Sequence, residues 1–115
     1  MPINNKQDFS YLWDMREAAR EIMEFMKNVS HAEFEKNNQL RYAVERQLMV
    51  IGEAANHVSE EFQDNHPEIP WAQVIGQRNV LAHDYGTIVT DRVWKTATTS
   101  VPELLDALKK ILPDE

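Results

Sequence analysis

Apolar residues recur along this 115-residue chain at steps of three and four, the spacing that places them on one face of an α-helix. The pattern predicts helices over about residues 8–29, 31–36 and 38–63, followed by two more over about 70–85 and 90–112. No segment alternates apolar and polar residues as a half-buried strand would. We therefore expect an all-α fold, an antiparallel bundle of four long helices plus one short helix.

The first and third predicted helices carry the apolar stripes from which a core can be built. In the first helix, Met15 and Met23 are expected to face inward, while Arg16 and the other charged residues fill the opposite face. In the third helix, apolar residues recur without interruption up to the end of the predicted segment. The members of this stripe are Val44, Leu48, Ile51, Ala55, Val58 and Phe62.

Local signals mark where several of these helices begin or bend. Ser30, with Glu33 three residues later, is typical of a capping box at the start of the short second helix. Pro70 suits the first turn of the fourth helix, where no backbone donor is needed. Pro102 lies inside the last helix, and its missing N–H predicts a kink near Thr98 rather than a break.

Composition and charge narrow the classes of function. The chain has no cysteine, which excludes disulfides, zinc–thiolate sites and thiol nucleophiles. A net charge of −7 disfavours a protein that coats nucleic acid, although an enzyme that holds one phosphate remains compatible with it. No apolar run approaches the roughly 20 residues of a membrane span, and no secretion signal is recognisable. We expect one domain over residues 1–115, located in the cytoplasm.

The most unusual residue of the fourth helix is Arg78. It falls on the apolar stripe between Ile75 and Ala82, where an apolar side chain would be expected. A guanidinium on a buried face needs an anionic partner, because desolvating it unpaired costs several kcal/mol. That partner is either an internal carboxylate, for which Glu53 is a candidate, or the phosphate of a ligand.

His83 and Tyr85 follow Arg78 at the end of the same helix. Arg78 and His83 are five residues apart, which is about 140° around an ideal helix, so their side chains do not stack directly. A long arginine and a histidine at the helix end could still reach one shared cleft. A histidine can act as a base near neutral pH, and the planar fork of arginine binds phosphate oxygens. The pair therefore suits RNA cleavage by the neighbouring 2′-hydroxyl, a reaction that needs no metal.

Each of these residues also has a purely structural interpretation. Arg78 can belong to a buried salt bridge, His83 can be a surface or capping residue at the helix end, and Tyr85 can pack in the core. The four histidines are scattered, and neither HExxH nor the paired ExxH of di-iron bundles occurs. The sequence therefore predicts no metal site and no cofactor.

The pattern Arg-x4-His-x-Tyr resembles the signature of the HEPN superfamily, and specifically of the HepT-like toxins. The similarity in order and spacing extends over nearly the whole chain. It is carried by Arg78, His83 and Tyr85 themselves and by the blocks 51–55 (IGEAA), 67–71 (PEIPW) and 75–85 (IGQRNVLAHDY).

This resemblance implies a HEPN-like helical bundle that forms a homodimer and cleaves RNA without a metal as the toxin of a type VII toxin–antitoxin pair. Carried over by position, Arg78 and His83 are catalytic, and Asn79 is a polar helper beside them. Tyr85 matches the tyrosine to which the partner antitoxin, a minimal nucleotidyltransferase, transfers AMP.

In one place the chain departs from the family's pattern. Many relatives have an aromatic residue directly after the tyrosine, whereas Gly86 follows Tyr85 here. The loop is one residue shorter, and we expect this to alter access to Tyr85 more than access to Arg78 and His83.

Two other functions stay open at this point. Helical domains of the superfamily also act as non-catalytic companion subunits of nucleotidyltransferases that bind nucleotide or substrate, and a plain dimeric scaffold is a third interpretation. The intact pair of Arg78 and His83 favours the ribonuclease, since neither alternative requires it. The acidic net charge favours the companion subunit slightly.

Overall fold

The computed structural model describes residues 6–83 and 87–113, with the backbone alone described for residues 78–83 and 87–89. The described residues form helices and connecting turns, with no strand, so the predicted all-α class is confirmed. The helices are α1 (Lys6–Phe25), α2 (His31–Lys36), α3 (Asn38–His57), α4 (Glu60–Asn65), α5 (Trp71–His83), α6 (Thr87–Lys95) and α7 (Val101–Ile111), with a π-helical segment (Thr96–Ser100) between the last two.

Helix α3 lies at the centre of the bundle, with α1 packed along one side of it and α5 along another. Helix α7, the last helix, packs against α1 and covers the core on that side. The apolar stripe predicted for the third helix is buried along its whole length. No helix in the described part of the chain combines the length and the hydropathy needed to cross a bilayer.

The long third helix predicted from the sequence is divided into α3 and α4. Val58 leaves helical geometry with φ −67° and ψ 136°, and the hydroxyl of Ser59 accepts a hydrogen bond from Phe62 N to start α4. The Asp8 carboxylate accepts from Ser59 N at 2.9 Å and from Ser59 Oγ at 2.6 Å. Val58 and Phe62 are nevertheless both buried, so the apolar pattern continues from α3 into α4. The pattern therefore gives no sign that the helix is interrupted between them.

Helix α1 differs from the prediction at two positions. Arg16 was expected on the polar face but is only 3% exposed, whereas Met23 was expected inside and is 39% exposed. The Arg16 guanidinium donates to the Pro113 carbonyl at 3.4 Å and to Glu17 Oε2 at 3.2 Å. The end of the chain therefore covers Arg16, and these acceptors replace the water that its charge loses.

The kink predicted near Thr98 falls inside the π-helical segment, and the helical path continues through it from α6 into α7. The N–H of Val101 donates to the carbonyl of Thr96, five residues earlier. Pro102 has no N–H to offer the carbonyl of Thr98, so one ordinary α-helical hydrogen bond is missing at this point. The π-helical turn, which is wider than an α-helical one, is the local adjustment to this missing hydrogen bond.

Candidate active site

Helix α5 carries three of the four residues predicted to form the site. Arg78, Asn79 and His83 lie in its last two turns, which places them at one end of the bundle. Their side-chain contacts fall outside the described residues, as does Tyr85 as a whole. The structure therefore establishes the helix that holds the three residues and leaves their convergence as a prediction.

The start of α5 is firmly anchored to α4. Trp71 is buried, and its indole N–H donates to the His66 carbonyl at 2.9 Å. The His66 ring stacks on Phe62 with 4.3 Å between ring centroids, and its Nδ1 lies 3.0 Å from Glu68 Oε2. That hydrogen bond lowers the pKa of the Glu68 carboxyl. The first turn of α5 is thereby fixed against the end of α4.

An apolar groove of about 130 Å³ separates α5 from the π-helical segment and α7. Leu48 and Ile51 of α3 are among the residues that line it, and Gln77 Nε2 donates to Thr96 Oγ1 across it at 3.4 Å. The charged residues of its lining are Glu68 and Glu103, both acidic. These carboxylates repel phosphate, so this groove is a poor candidate for the RNA site even though Gln77 is the neighbour of Arg78.

A second cleft, between α1 and α3, is lined by polar side chains, of which only Glu53 was considered from the sequence. It has a volume of about 300 Å³ and is lined by Tyr11, Asp14, Arg46, Glu53 and His57, among others. Glu53 is exposed, and the side chain of Arg78 lies outside the described residues, so a pair between the two stays a prediction. Apart from Glu53, the polar residues of this part of α3 were not predicted as site residues, because the sequence shows there mainly the apolar stripe of the core.

Within this cleft the His57 ring has a defined orientation. It lies 5.1 Å from the Tyr11 ring, centroid to centroid, and its Nδ1 donates to the Glu53 carbonyl at 2.9 Å. A carbonyl only accepts, so Nδ1 carries the hydrogen and the neutral ring presents Nε2 as an acceptor. His57 is thus a second candidate base, and a comparison of His57 and His83 variants separates the two.

One group of side chains in the described residues has the donor atoms of a metal site. It consists of His31, Glu35 and Asp91, which belong to α2 and α6 rather than to α5. No short sequence motif reveals it, because His31 and Asp91 are 60 residues apart in the chain.

Residues 15–111 match the HepT-like family, which is described as ribonuclease HepT-like. A predicted RNase of Methanocaldococcus jannaschii is 37% identical over 95 residues, which cover 83% of this chain and 87% of the relative. A second predicted RNase of that organism is 35% identical over 91% of this chain and 87% of its own length.

A relative from Thermococcus cleftensis, named probable ribonuclease HepT, is 34% identical over 88% of this chain and 92% of its own length. No solved structure is significantly similar to the chain. The matched region includes all of α5 and therefore the segment that holds Arg78, Asn79 and His83.

Proposed function

This chain belongs to the HepT-like ribonuclease family, and on that basis we propose that it is a metal-independent endoribonuclease, the toxin of a type VII toxin–antitoxin pair in the cytoplasm. The observation that carries the proposal is the family match across residues 15–111, with Arg78 and His83 both intact on α5. The names of the relatives, predicted RNases and a probable ribonuclease HepT, support RNA as the substrate.

The proposed reaction is attack of a ribose 2′-hydroxyl on the adjacent phosphorus. His83 takes the proton of the 2′-hydroxyl as that oxygen forms its bond to phosphorus. Arg78 stabilises the negative charge on the nonbridging phosphate oxygens, and Asn79 offers a further hydrogen bond beside it. The bond between phosphorus and the 5′-oxygen breaks, the leaving oxygen takes a proton from water, and a 2′,3′-cyclic phosphate remains on the other fragment.

We further propose that a homodimer completes the cleft. Arg78 and His83 are five residues apart, about 140° around an ideal helix, so one copy of the pair is poorly placed to hold a single phosphate. A twofold axis near the ends of the two α5 helices would bring two copies of the motif together. Each phosphate could then meet an arginine and a histidine from different subunits.

We also propose control by a minimal nucleotidyltransferase antitoxin, because Tyr85, two residues after His83, matches the tyrosine that the family resemblance implies as the AMP acceptor. Transfer of AMP from ATP to the phenol oxygen would form a phosphodiester and release pyrophosphate. The added negative charge would compete with RNA for Arg78, and the nucleotide would occupy the cleft. Inhibition by this route requires neither unfolding nor a permanent complex.

The central experiment compares four single variants in an RNA cleavage assay. His83→Ala should lower the cleavage rate by about 10²–10⁴-fold, because it removes the proposed base. Arg78→Ala should lower it by about 10²–10³-fold through loss of the phosphate contact. His57→Ala, the matched control, should cleave like the wild type. Tyr85→Phe should also cleave but should not gain the mass of AMP when co-expressed with the antitoxin.

The same assay contains the results that would overturn the proposal. Cleavage should persist in EDTA and leave a 2′,3′-cyclic phosphate, so a requirement for Mg²⁺ would contradict the mechanism. Activity lost in His57→Ala and retained in His83→Ala would move the site to the cleft between α1 and α3. AMP found on Tyr11 or Tyr42 instead of Tyr85 would contradict the proposed control.

The alternative is a non-catalytic companion subunit of a nucleotidyltransferase. The net charge of −7 favours it, because an acidic surface opposes RNA binding by bulk electrostatics. If purified protein cleaves no RNA yet increases the nucleotide affinity of its partner enzyme, this function replaces the ribonuclease.

A further inference from the structure

Three side chains with metal-binding atoms meet where α2 approaches α6. His31 Nε2 lies 3.2 Å from Glu35 Oε1 and 3.3 Å from Asp91 Oδ1. One donor atom from each of the three residues lies within 4.8 Å of the other two. From this arrangement we propose that His31, Glu35 and Asp91 bind a divalent transition-metal ion, with Zn²⁺ as the ion that best suits the donor set.

Hydrogen bonding alone does not account well for this convergence. Nε2 of an imidazole carries at most one hydrogen, yet carboxylate oxygens from two helices both approach it. The two carboxylate oxygens also lie within 4.8 Å of one another, where their negative charges repel. A divalent cation bound to the nitrogen and to both oxygens satisfies all three donors at once.

The distances match those between ligands that share a small metal ion. Zinc lies about 2.0–2.2 Å from imidazole nitrogen and carboxylate oxygen, so two tetrahedral ligands of one ion are about 3.4 Å apart. The observed separations of 3.2 Å and 3.3 Å are close to this value. All three side chains are about half exposed, which leaves the remaining coordination position open to water.

The backbone and a neighbouring ring hold the histidine in place. His31 and Glu35 are one turn apart on α2 and share a face of that helix, whose start the Ser30 capping box fixes. The Trp94 ring lies 5.0 Å from the His31 ring and 5.6 Å from the fully buried Phe34. Two of the ligands therefore come from one helical face, and an aromatic contact anchored in the core orients the imidazole.

The bound ion would fasten α2 to α6, two helices that otherwise share few contacts. Neither helix contributes a residue to the proposed active site. The ion would take no part in RNA cleavage, and the inference does not rest on the proposed ribonuclease function.

Isothermal titration of metal-free protein with ZnCl₂, in a buffer without phosphate, tests the site. We expect one ion bound per chain and an unfolding temperature that rises with zinc concentration, because the unfolded chain lacks the arrangement of ligands. Partners outside the first coordination sphere are commonly worth ~10–100-fold in affinity, so His31→Gln and Asp91→Asn should each weaken binding by at least about tenfold. The matched control His57→Gln should keep both the stoichiometry and the affinity.

Absence of saturable binding would overturn the inference, and so would unchanged binding in both His31→Gln and Asp91→Asn. Equal stabilisation of the wild type and these variants by zinc would mean scattered surface binding and would have the same consequence. Circular dichroism checks that the variants fold. Since the readout is metal affinity, a negative result leaves the ribonuclease proposal untouched, and loss of cleavage in His83→Ala leaves the metal site untouched.

Discussion

At the scale of single residues, buried polar side chains have the largest structural consequences in this protein. Asp8 is 4% exposed, and its carboxylate receives both the N–H and the hydroxyl of Ser59. It thereby joins the first turn of α1 to the start of α4 and stabilises the break that ends α3. The hydrophobic pattern contains no trace of this contact, because the two residues are 51 positions apart.

Removal of the Asp8 carboxylate should therefore destabilise the whole fold. We expect Asp8→Ala to lower the free energy of unfolding by about 1–3 kcal/mol, since it leaves the partly buried N–H of Ser59 without its acceptor. Urea denaturation measures the change, and exposed Asp14→Ala on the same helix is the matched control. The double variant Asp8→Ala/Ser59→Ala should lose less free energy of unfolding than the two single variants lose in sum. Strict additivity would show that the two residues do not interact.

At the scale of elements, local capping determines where the short helices start. The Ser30 hydroxyl accepts from Glu33 N at 3.1 Å, and Glu33 Oε1 accepts from Ser30 N at 3.1 Å. The hydrogen bond from the Ser30 backbone is the main reason why the pKa of the Glu33 carboxyl is lowered. Because all of these groups lie within four residues, the sequence predicted this helix together with its cap.

The capping box predicts a definite dependence of stability on pH. A folded-state pKa below the unfolded one means that Glu33 contributes stability above its unfolded pKa and loses it as the pH falls through the folded pKa. At neutral pH, Glu33→Gln should therefore unfold at a lower temperature than the wild type. The two melting temperatures should converge as the pH falls through the lowered pKa of Glu33. Glu24→Gln, on exposed α1 surface, is the control; a difference that is constant with pH would contradict this assignment.

At the scale of the whole molecule, the bundle leaves surface that a second copy could cover. Phe9, Trp13, Met23 and Phe25 of α1 are each more than one-third exposed. Phe9 and Trp13 are one helical turn apart, and exposed apolar side chains that are neighbours in this way are common at contacts between subunits. The proposed active site, with its motif at one end of α5, also needs a second subunit if Arg78 and His83 are to act on one phosphate.

A complementation experiment tests the shared cleft directly. Arg78→Ala and His83→Ala chains should each be inactive alone, but a mixed dimer contains one intact arginine and one intact histidine on different subunits. We expect co-expression of the two variants to restore part of the RNA cleavage, with light scattering at micromolar concentration showing dimers. Monomers under those conditions would contradict the dimer, and dimers without restored cleavage would contradict a site built across the interface.

The sequence by itself determined the helical class, the capped start of α2 and the irregular turn before Pro102, because helix periodicity, capping and proline chemistry act within a few residues. It also placed Arg78, Asn79 and His83 on one helix.

Tertiary structure alone decided the break at Ser59, through Asp8, and the burial of Arg16, through the Pro113 carbonyl 97 positions away. It likewise brought Asp91 to His31. Contacts between groups so distant in the chain leave no periodic signal, since the packing of helices, not their local propensity, determines which polar groups meet.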